Sequence, residues 1–146
     1  MDWKKLFVSF DDFDATFFEP ASEVNLRKIT ENTGITVSGQ LLDLLLQTDG
    51  IKDGRFGDYM VFSTDKVIEY RKEYMEHLAE TENNLIHDCL FFADDGCGNH
   101  FGLEATNGII RSSKIGVYYP ISGEYRFVAP NLYVWANAWY TGRLGV

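Results

Sequence analysis

The chain has 146 residues, the size of a single domain, and 45% of them are hydrophobic, so the composition excludes a disordered chain. Acidic residues outnumber basic ones by 22 to 13, and the net charge of −9 disfavours binding to nucleic acid or to an anionic membrane. The same charge favours a cationic partner.

Compartment and charge distribution can also be predicted. No apolar run reaches the roughly 18–20 residues of a membrane span, and the first residues do not form a secretion signal, which predicts a cytoplasmic protein. Two cysteines are too few for a disulfide framework and are expected to be reduced. Residues 1–100 contain 20 acidic and 9 basic side chains, whereas residues 101–146 contain 2 and 4, so an acidic binding face should lie in the first two thirds.

The first half of the chain has helical periodicity. Apolar residues at spacings of three and four predict a short helix and a packed arm over residues 1–20. Ser22 as an N-cap and Gly34 as a left-handed stop predict a helix from about Glu23 to Thr33. A Leu-rich helix capped by Ser38 is apolar on most of its circumference and is therefore expected in the interior.

An exposed loop is predicted for Asp49–Asp58, because its three glycines and several charges cannot be buried. Tyr59–Phe62 is predicted to be a strand. Ser63 or Thr64 then caps a third helix, whose apolar residues recur at helical spacing as far as Leu78.

After the polar segment Glu82–Asn84 the periodicity becomes that of strands, and Asn131 caps a closing helix that stops at Gly142. Because strands and helices do not alternate, a parallel sheet is not required. The predicted fold class is α+β, with an antiparallel or mixed central sheet of about five strands and helices packed against it, in one domain over residues 1–146 with its core at about 22–142. The last four strands form a meander over Leu90–Ala93, His100–Glu104, Ile115–Tyr119 and Glu124–Val128.

Three segments resemble the SUKH superfamily of Smi/Knr-type domains. Ile35–Gly50 has a hydrophobic entry, a capped Leu-rich helix and a closing Thr-Asp-Gly, with Asp49 in place of the usual Asn. Phe91–Glu104 is similar to the strand, Gly-rich acidic turn and strand of that superfamily, and ends in Glu104 where Asp is frequent. The strands around Gly116–Tyr119 and the capped aromatic helix at the end complete the ordered set.

The resemblance implies a function in binding. Bacterial members are most often immunity proteins that bind and neutralise a cognate polymorphic toxin, commonly a nuclease or deaminase, whereas a fungal branch regulates cell-wall glucan synthesis. We therefore expect an antitoxin that occludes its toxin, existing as a monomer or weak homodimer, with an intracellular regulatory scaffold as the alternative. An acidic face suits the basic substrate cleft of a nuclease.

The candidate partner-binding residues lie mainly in two acidic, Gly-rich loops, 49–58 and 94–99, because exposed loops with rigid turns commonly carry binding. An acidic row on the third helix is a competing face, although such rows usually only face solvent. The loop candidates and their neighbours are Asp49, Asp53, Asp58, Asp94, Asp95, Glu104 and Tyr119. The competing row is Glu69, Glu73, Glu76 and Glu80.

Other chemistry is disfavoured. His87, Cys89, Cys97 and His100 are residue types that bind zinc, but their spacing is irregular, so packing and turn roles are favoured and no metal or cofactor is predicted. The Asp94–Gly96 turn lacks the ligand number of a calcium loop. No nucleophile elbow or His-Glu-x-x-His motif is present, so no enzymatic activity is predicted.

The aromatic C-terminal part allows two interpretations. Alternate strand positions and one helix face can build the core, or they can form an interface. Trp135 and Trp139 are predicted to be core residues. Tyr119, Tyr125 and Tyr140 fit both interpretations.

Overall fold

The computed structural model describes residues 1–78 and 88–146, with the backbone alone described at 77 and 78. These residues form an α+β arrangement of five helices and seven strands. The predicted polar segment Glu82–Asn84 lies outside the described residues. The helices are α1 (Trp3–Val8), α2 (Glu23–Thr33), α3 (Gly39–Leu45), α4 (Thr64–Leu78) and α5 (Leu132–Tyr140). The strands are β1 (Ala15–Phe17), β2 (Ile51–Asp53), β3 (Tyr59–Val61), β4 (Cys89–Asp94), β5 (His100–Thr106), β6 (Ile109–Tyr119) and β7 (Glu124–Ala129).

Local capping determines the ends of α2 and α5. Ser22 and Asn25 form a reciprocal capping box at the start of α2, and Gly34 ends that helix in the left-handed conformation. The Asn131 side chain accepts a hydrogen bond from the amide of Val134 at the start of α5. Both predicted helices are therefore confirmed with their caps.

Helix α3 differs from its prediction in two ways. Ser38 occupies the N-cap position, but its hydroxyl makes no capping hydrogen bond within the described chain. Leu44 and Leu45 are buried, whereas Leu46, just past the helix, is 52% exposed. The helix therefore buries one face and leaves the other at the surface.

The described strands form two antiparallel sheets and not the single sheet of about five strands that was predicted. One sheet has the order β1-β2-β3 and the other β4-β5-β6-β7, which confirms the four-stranded meander. Strands β1 and β2 were missed, because Ala15–Phe17 lies in the predicted arm and Ile51–Asp53 in the predicted exposed loop. Each is three residues long, which is too short for local periodicity to reveal it. Strand β1 in addition pairs with β2 about 36 residues away, whereas β2 also pairs with the nearby β3.

Specific hydrogen bonds join the two sheets and the closing helix. The amide of Phe62, just after β3, donates to the carbonyl of Phe92 in β4 at 2.7 Å. The hydroxyl of Tyr140 in α5 donates to the carbonyl of Met60 in β3 at 2.6 Å. The end of α5 is therefore attached to the smaller sheet, next to the β4–β5 turn.

The main core lies between the meander and helices α1, α3 and α5. Trp135 is fully buried, and its ring contacts those of Phe92 and Phe101 at centroid distances of 5.0 and 5.2 Å. Trp139 packs on Phe101 at 5.1 Å but is only half-buried. The core role predicted for Trp135 is thus confirmed, whereas Trp139 also reaches the surface.

Helix α4 covers part of the opposite face of the meander. Tyr74 packs there against Phe91 and Tyr118. Gly116 lies directly under the Tyr125 ring, where a Cβ atom would approach that ring to 2.1 Å. The missing side chain at Gly116 therefore allows Tyr125 to lie flat on the sheet.

Candidate acidic cleft

An open cleft of about 780 Å³ lies where the two sheets meet. The chain before β1, the β2–β3 loop, strand β3, the start of α4, the β4–β5 turn and the end of α5 all contribute to it. Its volume is in the range of small-ligand sites. The residues that line it are Asp12, Phe13, Asp53, Arg55, Phe56, Gly57, Asp58, Tyr59, Met60, Phe62, Lys66, Tyr70, Asp94, Asp95, Gly96, Gly98, Trp139 and Tyr140. We call this feature the acidic cleft.

The acidic cleft carries excess negative charge on aromatic walls. Five aspartates line it against two cations, Arg55 and Lys66. Arg55 pairs with Asp53 at 3.4 Å and lies over the Phe13 ring at 5.7 Å from its centroid. Lys66 pairs with Glu69 outside the cleft. Asp12 and Asp58 are exposed, so their charges are available at the mouth.

Hydrogen bonds within the β4–β5 turn determine its shape. Asp95 accepts from the amides of Cys97 and Asn99 at 2.8 and 3.0 Å and from the Asn99 side chain at 2.7 Å. The Asp94 carboxylate accepts from the amide of Gly96 at 2.9 Å. Asp95 is therefore a structural residue of the turn as well as a wall of the acidic cleft.

Asp94 lies in an environment that disfavours its negative charge. Burial raises the pKa of this carboxyl, and the neighbouring charge of Asp95 adds to the rise. The hydrogen bond from Gly96 and the more distant Lys66 oppose it without cancelling it. A cation placed in the acidic cleft would therefore stabilise the ionised form of Asp94.

Four of the seven predicted partner-binding residues line the acidic cleft. Asp53 and Asp58 come from one predicted acidic loop, and Asp94 and Asp95 from the other. The other three, Asp49, Glu104 and Tyr119, do not line it. The sequence predicts the two loops from separate segments, and the structure brings both into the lining of one cavity.

Asp49 has a structural role at the start of α4. Its carboxylate accepts hydrogen bonds from the amide and the hydroxyl of Thr64, both at 2.8 Å. The negative charge also lies at the positive end of the helix dipole. Asp49 thus links the end of the Leu-rich segment to the first turn of α4.

Glu104 and Tyr119 lie elsewhere on the meander. Glu104 pairs with Cys89 across β4 and β5, away from the β4–β5 turn. Tyr119 lies at the end of β6 opposite Glu124, and Arg126 lies 5.4 Å from its ring centroid. Tyr119 is half-buried and is at the same end of the sheet as the β4–β5 turn.

Asp53 corrects the prediction that residues 49–58 form one exposed loop. It ends strand β2 and is only 4% exposed. Burial by itself would raise its pKa, but hydrogen bonds from the amides of Asp14 and Arg55 and the Arg55 guanidinium outweigh this effect and lower it. Asp53 therefore holds the arm and the loop together instead of offering a free charge.

Replacing Asp53 with Ala is expected to destabilise the fold by about 1–3 kcal/mol, because the amides of Asp14 and Arg55 lose their acceptor. Asp53→Asn keeps an acceptor oxygen and should lose less stability than Asp53→Ala. Since the pKa of Asp53 is lowered in the folded state, its contribution is present above about pH 4 and is lost as the pH falls below that value. Urea unfolding at pH 7 and at pH 3 measures both effects.

Asp58→Ala is the matched control, because this carboxylate belongs to the same loop but is exposed. It should change the free energy of unfolding by no more than about 0.5 kcal/mol. If Asp53→Ala and Asp58→Ala lowered the free energy of unfolding equally, the structural role of Asp53 would be contradicted.

Sequence reasoning missed several parts of the acidic cleft. Asp12 and Phe13 were assigned to the packed arm, and Trp139 to the core. Lys66 and Tyr70 were assigned only to a helix. These residues come from distant parts of the chain, and no spacing in the sequence shows that they meet.

The residues of zinc-binding type named above do not form a cluster in the described part of the chain. His87 lies outside the described residues. Cys89 is buried in β4, and burial raises the pKa of its thiol to about 12, whereas Cys97 is exposed in the β4–β5 turn. The His100 ring is engaged by the hydroxyl of Tyr70. Within residues 1–78 and 88–146, no group of three or more His, Cys, Asp or Glu residues is arranged to hold a metal ion.

The family of this chain is shown by comparing its sequence with models of known families. The sequence model of the SMI1/KNR4 family (SUKH-1) matches residues 20–138, most of the chain. The chain belongs to the SMI1/KNR4 family (SUKH-1). A search of curated proteins gave no match. Among the described residues of this SUKH-1 chain, no helix has the length and apolar character needed to cross a membrane.

The boundaries of the SUKH-1 match divide the acidic cleft. The β2–β3 loop, the start of α4 and the β4–β5 turn lie within residues 20–138. Asp12 and Phe13 precede the match, and Trp139 and Tyr140 follow it. The SUKH-1 region thus supplies both acidic loops, and flanking segments complete the walls.

Proposed function

We propose that this protein is an immunity protein, which binds a cognate toxin and neutralises it by covering a basic catalytic cleft of a nuclease-type effector. It acts by binding, without catalysis and without a cofactor, in the cytoplasm, as a monomer or weak homodimer. The observation that carries the proposal is the convergence of Asp12, Asp58, Asp94 and Asp95 on one open aromatic cleft.

The charge distribution supports a basic partner. A net charge of −9 attracts a cationic protein over a distance set by the ionic strength, and the low-dielectric walls of a cleft focus the field. Asp12 and Asp58 are exposed at the mouth, where they can steer the approach of basic side chains. Nucleic acid would be repelled by the same field.

The aromatic walls suit arginine and lysine side chains. Phe13, Tyr59 and Trp139 line the acidic cleft and are each half-buried, so part of each ring is accessible. Aromatic faces attract guanidinium and ammonium groups, and nearby carboxylates pair with them. Arg55 already shows this pattern within the chain, because its guanidinium lies over the Phe13 ring and pairs with the Asp53 carboxylate.

Co-expression with the product of the neighbouring gene tests the proposal. That product should arrest growth alone, and this chain should restore growth and co-purify with it in a stoichiometric complex. Ile109→Ser, which changes an exposed side chain outside the acidic cleft, serves as a control and should bind and restore growth like the parent. If the neighbouring gene product is not toxic and forms no complex with this chain, the immunity proposal is contradicted. That result would favour the intracellular scaffold.

A further inference from the structure

The meander presents two hairpin tips side by side at the end that borders the acidic cleft. Asp94 in β4 pairs with His100 in β5, His100 pairs with Tyr118 in β6, and Tyr118 pairs with Tyr125 in β7. One row of residues thus crosses the whole sheet, and the turns 95–99 and 120–123 both project beyond it. Because neighbouring strands are about 5 Å apart, the β6–β7 tip continues the surface that begins at the acidic cleft.

The β6–β7 tip carries an apolar side chain that its turn does not require. The amide of Gly123 donates to the carbonyl of Tyr119 at 2.8 Å, and the amide of Glu124 donates to the Ser122 hydroxyl at 3.3 Å. These bonds form the turn, whereas the Ile121 side chain is fully exposed, at 104%. Turn positions favour Gly, Asn, Asp, Pro and Ser, so an exposed isoleucine contributes nothing to local stability.

A second exposed apolar side chain belongs to the lining of the acidic cleft itself. Phe56 belongs to a turn in which the amide of Gly57 donates to the carbonyl of Asp53 at 2.7 Å, and its ring is 74% exposed. The Arg55 guanidinium lies 5.4 Å from the ring centroid. The acidic cleft thus has an exposed aromatic residue in its lining, and an exposed aliphatic residue lies beyond the β4–β5 turn on the next hairpin tip.

We infer that the partner surface extends beyond the acidic cleft, with Phe56 in the β2–β3 loop and Ile121 on the β6–β7 tip as apolar anchors. The inference rests on the proposed function and adds the chemistry of the partner: a basic protein surface whose cationic side chains are bordered by apolar hollows. The excess of aspartates in the cleft, which matches basic groups, argues for this occupant over a second copy of the same acidic chain. Truncating apolar anchors mainly accelerates dissociation, whereas exposed charges mainly set the association rate.

The chain provides a matched control at the far end of strand β6. Ile109 begins β6 and is 69% exposed, at the opposite end of the meander from Ile121. Ile121→Ser and Ile109→Ser therefore make the same chemical change at the two ends. Phe56→Ser is paired in the same way with Phe127→Ser, because Phe127 is 49% exposed on β7.

The test measures association and dissociation rates of each variant with the purified product of the neighbouring gene by surface plasmon resonance. Ile121→Ser and Phe56→Ser should each raise the dissociation rate by about tenfold, with association rates within about twofold of the parent. Ile109→Ser and Phe127→Ser should leave both rates within about twofold. Melting temperatures of the four variants identify any change that arises from folding.

The outcomes separate this inference from the proposed function. If a stable complex forms and neither Ile121→Ser nor Phe56→Ser changes its dissociation rate, the two residues are not anchors. The proposed neutralisation of the toxin would be unaffected by that result. Light scattering could instead show that Ile121→Ser dissociates a dimer of this chain without changing toxin binding. That result would overturn the inference and assign the surface to a second copy of this chain. No complex with the parent protein would overturn both.

Discussion

Reversing the charges of Asp12 and Asp58 together, to Lys, is expected to slow association with the proposed toxin partner by about tenfold to a hundredfold at low salt. Both carboxylates are exposed at the mouth of the acidic cleft, so the field that steers a basic partner is reversed where it enters. The dependence of the association rate on salt should weaken in parallel. Stopped-flow or surface plasmon resonance at about 20 and 200 mM salt measures the association rate and its salt dependence. The Debye length is about 20 Å at the lower concentration and about 7 Å at the higher one.

The control for this variant is Glu73→Lys with Glu76→Lys, which changes the net charge by the same amount on α4. Both side chains are exposed and belong to the competing acidic row, whose last member, Glu80, lies outside the described residues. Steering by the acidic cleft predicts a much smaller effect for the helix pair. Equal slowing by the two pairs would show that total charge or the helix face attracts the partner.

Asp58 and Asp12 are better choices for this experiment than Asp94 and Asp95. Reversing the charge of Asp95 would also remove the acceptor of three hydrogen bonds in the β4–β5 turn. If Asp94 and Asp95 were only exposed loop residues, reversing their charges would leave stability nearly intact. The hydrogen bonds of Asp95 lead us to expect a loss of stability as well, which would obscure an effect on binding.

Acidification from pH 6.5 to about pH 4 is expected to lower the free energy of unfolding by about 3 kcal/mol through His100. The His100 ring is 5% exposed, shares a hydrogen bond with the Tyr70 hydroxyl, and lies 4.8 Å from the Tyr74 ring centroid. Burial lowers its pKa from 6.5 to about 4, and the charge of Asp95 opposes this only partly. Within that window the unfolded chain binds a proton that the folded chain does not, so stability rises with pH and is lost as the pH falls.

Urea unfolding of the parent and of His100→Phe at pH 7, 5.5 and 4.5 measures this contribution. The variant retains an aromatic ring but cannot titrate, so its stability should depend less steeply on pH in this range. Asp94 acts in the opposite direction, because its raised pKa makes protonation favour the folded state, and it is present in both proteins. Parallel curves for the two proteins would show that His100 does not carry the pH dependence.

Local signals explain which elements could be predicted. Helix α2 was located to the residue, because Ser22 and Gly34 act through hydrogen bonds and backbone conformation within a few residues of its ends. The meander was recovered because its strands are six to eleven residues long and connected by short turns rich in glycine. The family could be recognised because its motifs, Ile35–Gly50 and Phe91–Glu104, are contiguous in sequence.

Tertiary structure decided the second sheet and the acidic cleft. Strand β1 exists because Ala15 pairs with Asp53, and three-residue strands carry too little periodicity to be seen alone. The burial of Asp53 likewise depends on an amide 39 residues away, at Asp14. Composition determined that the protein is acidic and should favour a cationic partner. Only folding decided where that charge is concentrated, because Asp12, Asp58, Asp94 and Trp139 become neighbours through contacts between separate elements, which sequence spacing does not encode.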